Sequence, residues 1–354
     1  MKKIIINGES YARNITGIER VCVDTIQELD KICEPGQIEL VIPKNVKYEP
    51  ELKNIKLVKL DYEISLFFKW VQIPFQKYVK QQRGISLDFA NDCPYFTPGI
   101  EYLHDIYCKL YPSDFKSKRD KLIRLLSCLM YSRIAKKAKV IIAVSEFTKQ
   151  TIIQTYKVNP DKIKVIYNGL SNTYKELKPD FSILESNENL KEKQFYFTLG
   201  SLSTRKNLKW IADHAETNPS NFYAISGKPL PSVVPAELEK LRTLKNVAFL
   251  GYLSDAQVKA LMTKCKAFIF PSYFEGFGLP PLEALYCGAP VVISNKTCLP
   301  EIYGNTAHYI DPDNTDVDLD KLLSEPVEAP DKLLATLTAQ NTAKELYNVI
   351  KGLL

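Results

Sequence analysis

The stretch FPSYFEGFGLPPLEALYCGAP, residues 270 to 290, places two acids, Glu275 and Glu283, among glycines, prolines and apolar residues. Between them lie Gly276, Phe277, Gly278, Leu279, Pro280, Pro281 and Leu282. Burying a carboxylate without a partner is costly, so acids kept in such surroundings suggest acceptors aimed at a ligand. The run AFIF reads as a strand, PSYFEGFG as a loop and LPPLEALYCG as a short helix, with prolines at its start and Gly288 past its end. Gly276 and Gly278 would let the backbone approach a ligand with its N–H groups turned outward. Glu275 is then a loop acid, and Glu283 falls in the first helical turn, where the helix dipole favours a carboxylate. Vicinal hydroxyls, as on a ribose, could donate to it. Taken singly, either acid reads as an ordinary loop or helix-start carboxylate.

A second element, GSLSTRKN from Gly200 to Asn207, directly follows the strand FYFTL. A glycine-bearing turn leaving a parallel strand lies at the carboxyl edge of its sheet, where ligands bind. Gly200 and Ser201 open the turn, and Arg205 and Lys206 set two cations beside the backbone N–H groups of the next helix start. That combination suits a phosphate or diphosphate. Alone, a basic pair at a helix start is more often simply solvated.

The chain has only three histidines. His104 follows EYL and precedes Asp105, at the end of a candidate strand; without further context it reads as structural, as do His214 on a helix and His308 before a strand. Ser145 and Asn168 follow strands of the first half, and read either as groups reaching a ligand or as a helix cap and a turn residue.

These residues need a frame. Short apolar runs alternate with helical patterns: KIIIN, IELVI, KLVKL, VIIAV and KVIY in the first half, FYFTL, FYAIS, VAFL, AFIF and PVVIS in the second. Fully apolar strands separated by amphipathic helices indicate parallel sheets covered on both faces. The expected fold is α/β, with two doubly wound, Rossmann-like domains and a cleft between them. The 354 residues suit two domains. The polar stretch SNTYKELKPDFSILESNENLKEKQ, 171–194, supplies the break: a first domain over 1–175, a linker over 176–194 and a second domain over 195–354. The final helix, AQNTAKELYNVIKGLL, is a candidate to pack back on the first domain.

With 45% hydrophobic and 25% charged residues the composition is that of a globular protein. No apolar run approaches about 18 residues, the length of a membrane span. The run after MKK is too short for a signal-peptide core and reads as a strand, so the expected location is cytoplasmic. The eight cysteines form no C-x-x-C pair and read as reduced core thiols. Net charge is +6, but from Lys116 to Lys139 nine basic residues face one acid, Asp120. Leu122, Leu125, Leu126, Leu129 and Ile134 recur there at helical spacing, giving a basic amphipathic helix. It is either a domain helix with one buried face or a contact for an anionic membrane surface, the latter helped by the aromatics and lysines of SLFFKWVQIPFQKYVKQQR. No nucleic-acid-binding module is recognisable.

Together the elements resemble the retaining glycosyltransferases of family 4, which have the GT-B fold. Glu275 and Glu283 meet that family's Glu-x7-Glu pattern, and SNKTCLPEIYG, the G-S-x-x-x-R-K-N element, V-S-E-F-T-K at 144–149, Y-N-G at 167–169, TGIERV and His104–Asp105 add to it. The resemblance is strong in the C-terminal half and loose between residues 30 and 100. It implies a nucleoside-diphosphate sugar as donor and a saccharide hydroxyl as acceptor. It also implies that Arg205 and Lys206 neutralise the donor diphosphate in place of a metal. By the same resemblance, backbone N–H groups from Gly276 to Leu279 hold the sugar and phosphates, Glu275 orients the sugar and Glu283 binds the ribose. Gly17 approaches the diphosphate, Tyr252 and Leu253 flank the base, and His104 faces the donor sugar. Ser201 departs from the family, where arginine often stands, and leaves that charge to Arg205. The D-x-D triplets of DPDNTDVDLDKLL read as caps and solvated acids, and no metal or other cofactor is expected. The basic helix suggests a lipid-linked acceptor at the inner membrane face, as in polysaccharide assembly. Two rival readings are a silent nucleotide-sugar-binding partner of a membrane-associated complex and a sugar-nucleotide epimerase.

Overall fold

The computed structural model describes residues 2–15, 17–192, 194–227 and 237–354. The chain forms two compact units: Met1–Pro112, Leu122–Ser171 and Thr336–Leu354 make the first, Ser113–Lys121 and Asn172–Ala335 the second.

The first unit is built on β1 (Ile4–Asn7), β2 (Ile38–Ile42), β3 (Lys56–Lys59), β4 (Ile85–Asp88), β5 (Ile100–Leu103), β6 (Val140–Ala143) and β7 (Ile163–Val165). All pair in parallel, in the order β3-β2-β1-β4-β5-β6-β7, with Ile4 in register with both Ile38 and Ile85. Ile4, Ile5 and Ile6 are wholly buried, as a sheet covered on both faces requires.

The strands β4 and β5 fall outside the apolar runs of the sequence. Their buried Ser86, Asp88 and Glu101 break the pattern. Each has partners within the fold: Ser86 Oγ and Gly99 N–H donate to Glu101 Oε1 at 2.8 and 2.6 Å, while Glu101 Oε2 is buried without a hydrogen-bond partner, and Asn7 Nδ2 donates to Asp88 Oδ2 at 2.7 Å. Burial pushes both carboxyls well above the usual range.

The second unit holds β8 (Phe195–Leu199), β9 (Phe222–Ser226), β10 (Val247–Gly251), β11 (Ala267–Phe270), β12 (Val291–Ser294) and β13 (His308–Ile310). They too are parallel, in the order β10-β9-β8-β11-β12-β13, so strand order reverses between β8 and β11. Tyr196, Trp210, Ile211, Tyr223 and Leu241 lie in its core. His214 belongs to that core. Its Nδ1 is 2.6 Å from the Tyr223 hydroxyl, its Nε2 is 2.8 Å from the Val317 carbonyl, and its ring stacks on Trp210. His308 is buried as the first residue of β13.

The domain boundaries expected from the sequence need correction. The stretch 176–194 is no free linker: Phe181–Ser186 forms a short 3-10 helix against the helix Asp255–Lys264, with Ile183 and Leu190 buried. Asp180 N–H donates to the Ala256 carbonyl at 2.9 Å, and Lys259 Nζ donates to the carbonyls of Tyr174, Lys175 and Leu177. Polar composition hid this, because backbone groups make most of the bonds. At the other end, the helix Ala339–Lys351 belongs to the first unit, where it packs on the helix Gly17–Asp30. Leu170 and Thr338 pair where the chain leaves that unit and re-enters it. A side chain at Gly169 would come within 2.3 Å of the Thr338 nitrogen.

The basic helix spans Lys118–Lys137. Its buried apolar residues, Met130, Tyr131, Ile134, Ala135 and then Ala138, cluster at its C-terminal end. Leu122, Leu125 and Leu129 are exposed, Leu125 by 62%, so the leucine stripe is not the buried face. Among the described residues no helix is long and apolar enough to cross a membrane.

Candidate functional site

In the second unit, two loops leave the sheet where strand order reverses. β8 runs into Gly200 and the turn Thr204–Lys206, and β11 runs into Pro271 and the 275–278 loop. Neighbouring strands diverge at such a point and leave a crevice at their carboxyl ends. Gly200 has φ +150, and a Cβ there would press on the Lys206 stem at 3.3 Å, so glycine leaves the lysine its path. Asn207 holds the left-handed conformation, φ +54, and its side chain donates to the carbonyls of Pro271 and Pro312, tying the turn to its neighbours.

Lys206 Nζ reaches Glu275 Oε1 at 2.7 Å and lies 4.5 Å from the Phe270 ring centre. Arg205 Nη1 is 3.7 Å from the other oxygen of Glu275. Glu275 is buried, which pushes its carboxyl up, but the charges of Lys206 and Arg205 outweigh burial and hold it below the usual range. Two cations thus share one carboxylate.

The helix Leu279–Tyr286 begins after Gly278, whose φ of +87 and contact with Leu299 (2.7 Å from a built Cβ) demand glycine. Its other end is a Schellman cap: Gly288, φ +77, donates to the Leu285 carbonyl and Ala289 to that of Ala284. One expectation is corrected here. Glu283 is the fifth helical residue, beyond the first turn, so the dipole argument for it fails; it is buried in the second turn. Pro280 and Pro281 carry no N–H, which removes two donors from the helix start.

Tyr252 and Leu253 follow β10 at the same sheet edge, and Tyr252 is 61% exposed. Ser201 lies in the turn after Gly200 with its hydroxyl 3.4 Å from that of Ser203. The acids of 311–320 are engaged locally: Asp311 accepts from Asp313 N–H, and Asp318 caps the helix Leu319–Ser324. Among the described residues no group of three or more His, Cys, Asp or Glu could hold a metal ion.

In the first unit, Gly17 opens the helix Gly17–Asp30, and a Cβ there would meet no atom within 4 Å. His104 is fixed from three sides. Its backbone N–H donates to Asn91 Oδ1 at 2.6 Å, its carbonyl accepts from Thr148 Oγ1 at 3.2 Å, and its Nε2 lies 2.7 Å from the Phe89 carbonyl. A carbonyl only accepts, so Nε2 carries the proton and Nδ1 keeps a lone pair. Burial lowers the pKa of the ring below the ordinary histidine value, against the Phe89 contact and the charges of Asp105 and Glu19. Ser145 caps the helix Glu146–Tyr156 through Thr148 N–H, the structural reading of that residue. Asn168 is buried with its Oδ1 unpartnered.

Sequence reading missed an acid cluster at the first unit's own switch point, between β1 and β4. Glu9 pairs with Arg13 at 2.5 Å; burial raises the Glu9 carboxyl despite that partner and brings Asp92 to about 7. The available signal was an acid directly after the strand IIIN and its glycine. It also missed Asn91 and Thr148, which hold His104, and Thr297, Cys298 and Tyr303, which hold the 275–278 loop.

Two parallel, doubly wound units define the fold class, GT-B. The family described as glycosyl transferases group 1 matches residues 181–338, and glycosyltransferase family 4 matches residues 94–173. These matches mark the chain as a family 4-like glycosyltransferase. It is 30% identical over 188 residues to O-antigen chain mannosyltransferase B of Escherichia coli, covering 51% of this chain and 49% of that protein. With O-antigen chain mannosyltransferase RfbU of Salmonella typhimurium it shares 28% over 215 residues, 60% of this chain and 56% of that one. The matched stretches thus span about half the length of these curated relatives. Sucrose-phosphate synthase from Thermosynechococcus elongatus has the same fold, with a TM-score of 0.74 at 16% identity over 100% of this chain and 99% of that one. So does WaaG, a glycosyltransferase involved in lipopolysaccharide biosynthesis, at 0.65 and 16% over 99% and 98%. Anabaena HepE, solved in complex with UDP and glucose, gives 0.64 and 19% over 100% and 98%.

Proposed function

We propose that the protein transfers a hexose from a nucleoside-diphosphate donor to a hydroxyl of a saccharide acceptor, with retention of anomeric configuration and without a metal. The observation that carries this is the meeting of Lys206 and Arg205 with Glu275 at the switch point of the second sheet. In the transfer, the bond from the sugar C1 to the diphosphate oxygen breaks and a bond from C1 to the acceptor oxygen forms on the same face. The acceptor proton passes to the departing phosphate. The transition state pairs an oxocarbenium-like sugar with a leaving diphosphate, so stabilising the leaving group is the main task. Lys206 and Arg205 supply that charge, helped by the N–H groups of the 275–279 backbone. Glu275 orients the sugar, Glu283 takes the ribose hydroxyls, and Tyr252 and Leu253 flank the base. Gly17 gives the diphosphate room, and His104 offers Nδ1 to a substrate hydroxyl.

The mannosyltransferase relatives assemble O-antigen chains, which supports a role in cell-surface polysaccharide assembly with a lipid-linked acceptor. Peripheral membrane contact through the basic helix fits that role. Arg133 of this helix donates to the Tyr95 carbonyl and Met130 contacts Gln72, so exposed Phe96 and Ile73 lie on segments anchored to it. The test is a thermal-shift screen against UDP, GDP, ADP and dTDP and their sugar conjugates. A ligand of the folded state raises the melting temperature; no shift with any of them would overturn the proposal.

A further inference from the structure

The loop that carries Glu275 is held from the segment after β12. Thr297 Oγ1 accepts the Glu275 N–H at 3.3 Å, and Cys298 Sγ donates to the Glu275 carbonyl at 3.3 Å. Both faces of that peptide position are therefore fixed by neighbouring residues. At the end of the helix Leu299–Tyr303, the Tyr303 hydroxyl donates to the Gly278 carbonyl, and Leu299 packs where Gly278 would carry a side chain. Thr297 makes its contact from a left-handed backbone, φ +60, which is rare and strained for a β-branched residue. Strain of this kind persists only where the surroundings over-determine it, and it gathers at functional sites.

We infer that Thr297 is the positioning residue of the glycine loop: its hydroxyl sets the Glu275 peptide before any ligand arrives, and so determines how firmly the donor's sugar is held. Cys298 and Tyr303 complete the clamp. The inference rests on the assignment of this loop to the donor sugar. Glu275 in turn meets Lys206, so the same loop serves both the sugar and the diphosphate end of the donor. Loss of the Thr297 hydroxyl therefore weakens binding of the whole donor.

The test uses Thr297→Val, Thr297→Gly and Thr297→Ser in the full chain. Glycine accepts φ +60 without strain, so Thr297→Gly keeps the fold where valine fails. Hydrogen exchange of the Phe274–Gly278 segment, with no ligand present, should quicken about tenfold in Thr297→Val and Thr297→Gly, as expected for one lost hydrogen bond. Donor KM should rise about tenfold, and Thr297→Ser should recover most of both losses. Unchanged exchange in Thr297→Gly, or no recovery in Thr297→Ser, would overturn the inference. A wild type that transfers no sugar would instead overturn the transferase reading, with the exchange measurement still deciding the clamp.

Discussion

Lys206 and Glu275 form a buried ion pair, 2.7 Å between Nζ and Oε1, that joins the turn after β8 to the loop after β11. The pair closes the switch point from both sides, and its lysine also faces the Phe270 ring. An arriving diphosphate would meet a cation already aimed and desolvated, with Glu275 as its resting counter-ion and Arg205 as a second charge. A preorganised charge costs little reorganisation during reaction, which is what makes such groups effective.

Lys206→Ala should therefore cut kcat by about 2–4 kcal/mol of transition-state stabilisation, on the order of a hundred- to a thousandfold. Steady-state transfer kinetics measure it, and full activity in this variant would remove Lys206 from the mechanism.

The same pair predicts a pH signature in stability. In the native protein the Glu275 carboxyl lies below its ordinary 4.5, so its contribution is present above that value and fades as pH falls through the folded pKa. In Lys206→Met, burial would prevail and lift the carboxyl above its unfolded value. The variant should then lose on the order of 3 kcal/mol at neutral pH, as for a broken buried pair, and the deficit should shrink as pH falls toward 4. A deficit that stays constant from pH 7 to pH 4 in denaturant melts would contradict the pairing.

Much of this site is legible in the sequence, because its residues cluster in two short motifs after apolar strands. Glu275, Lys206 and Gly278 could be read from type and spacing. Thr297 could not, since its left-handed backbone leaves no trace in residue type. Nor could β4 and β5, whose buried Ser86, Asp88 and Glu101 look like surface residues until Gly99 and Asn7 are seen to bond two of them. The Glu283 reading failed for a plainer reason: the helix starts four residues ahead of it, at Leu279. The linker reading failed because the polar stretch 176–194 is held against the helix Asp255–Lys264 by backbone bonds and by buried Ile183 and Leu190.

His104 should impose an acid limb on donor kcat/KM. Burial holds its pKa below the ordinary 6.5, so the neutral ring with a free Nδ1 persists at neutral pH, and activity should fall only as pH drops below that value. In stability the sign agrees: the unfolded chain takes up the proton first, so the contribution is full above 6.5 and declines below it. His104→Asn should remove the limb while lowering activity. An acid limb unchanged in that variant would assign it elsewhere.

Transfer should be undiminished in excess EDTA. The acids of 311–320 that other glycosyltransferases would suggest as a metal site are engaged here as turn and helix caps. Activity lost to chelation and restored by manganese would reopen that reading.

The exposed leucines of the basic helix make the last prediction. Leu122, Leu125 and Leu129 recur at three- and four-residue spacing, so they share one face, and that face is turned to solvent. Arg124, Lys136 and Lys137 lie on the same helix. A soluble domain gains nothing from exposing such a stripe, whereas an anionic bilayer would take the leucines and attract the charges, each leucine contributing about 1.5–3 kcal/mol if fully buried. The protein should sediment with phosphatidylglycerol vesicles and not with phosphatidylcholine vesicles. Leu122→Glu/Leu125→Glu should stay in the supernatant at every salt concentration, because the apolar part of the interaction is gone. Wild type should bind at low salt and loosen, without full release, as ionic strength rises and screens only the charged part. If wild type fails to bind at low salt, the stripe is not a membrane contact and the acceptor must be reached from solution.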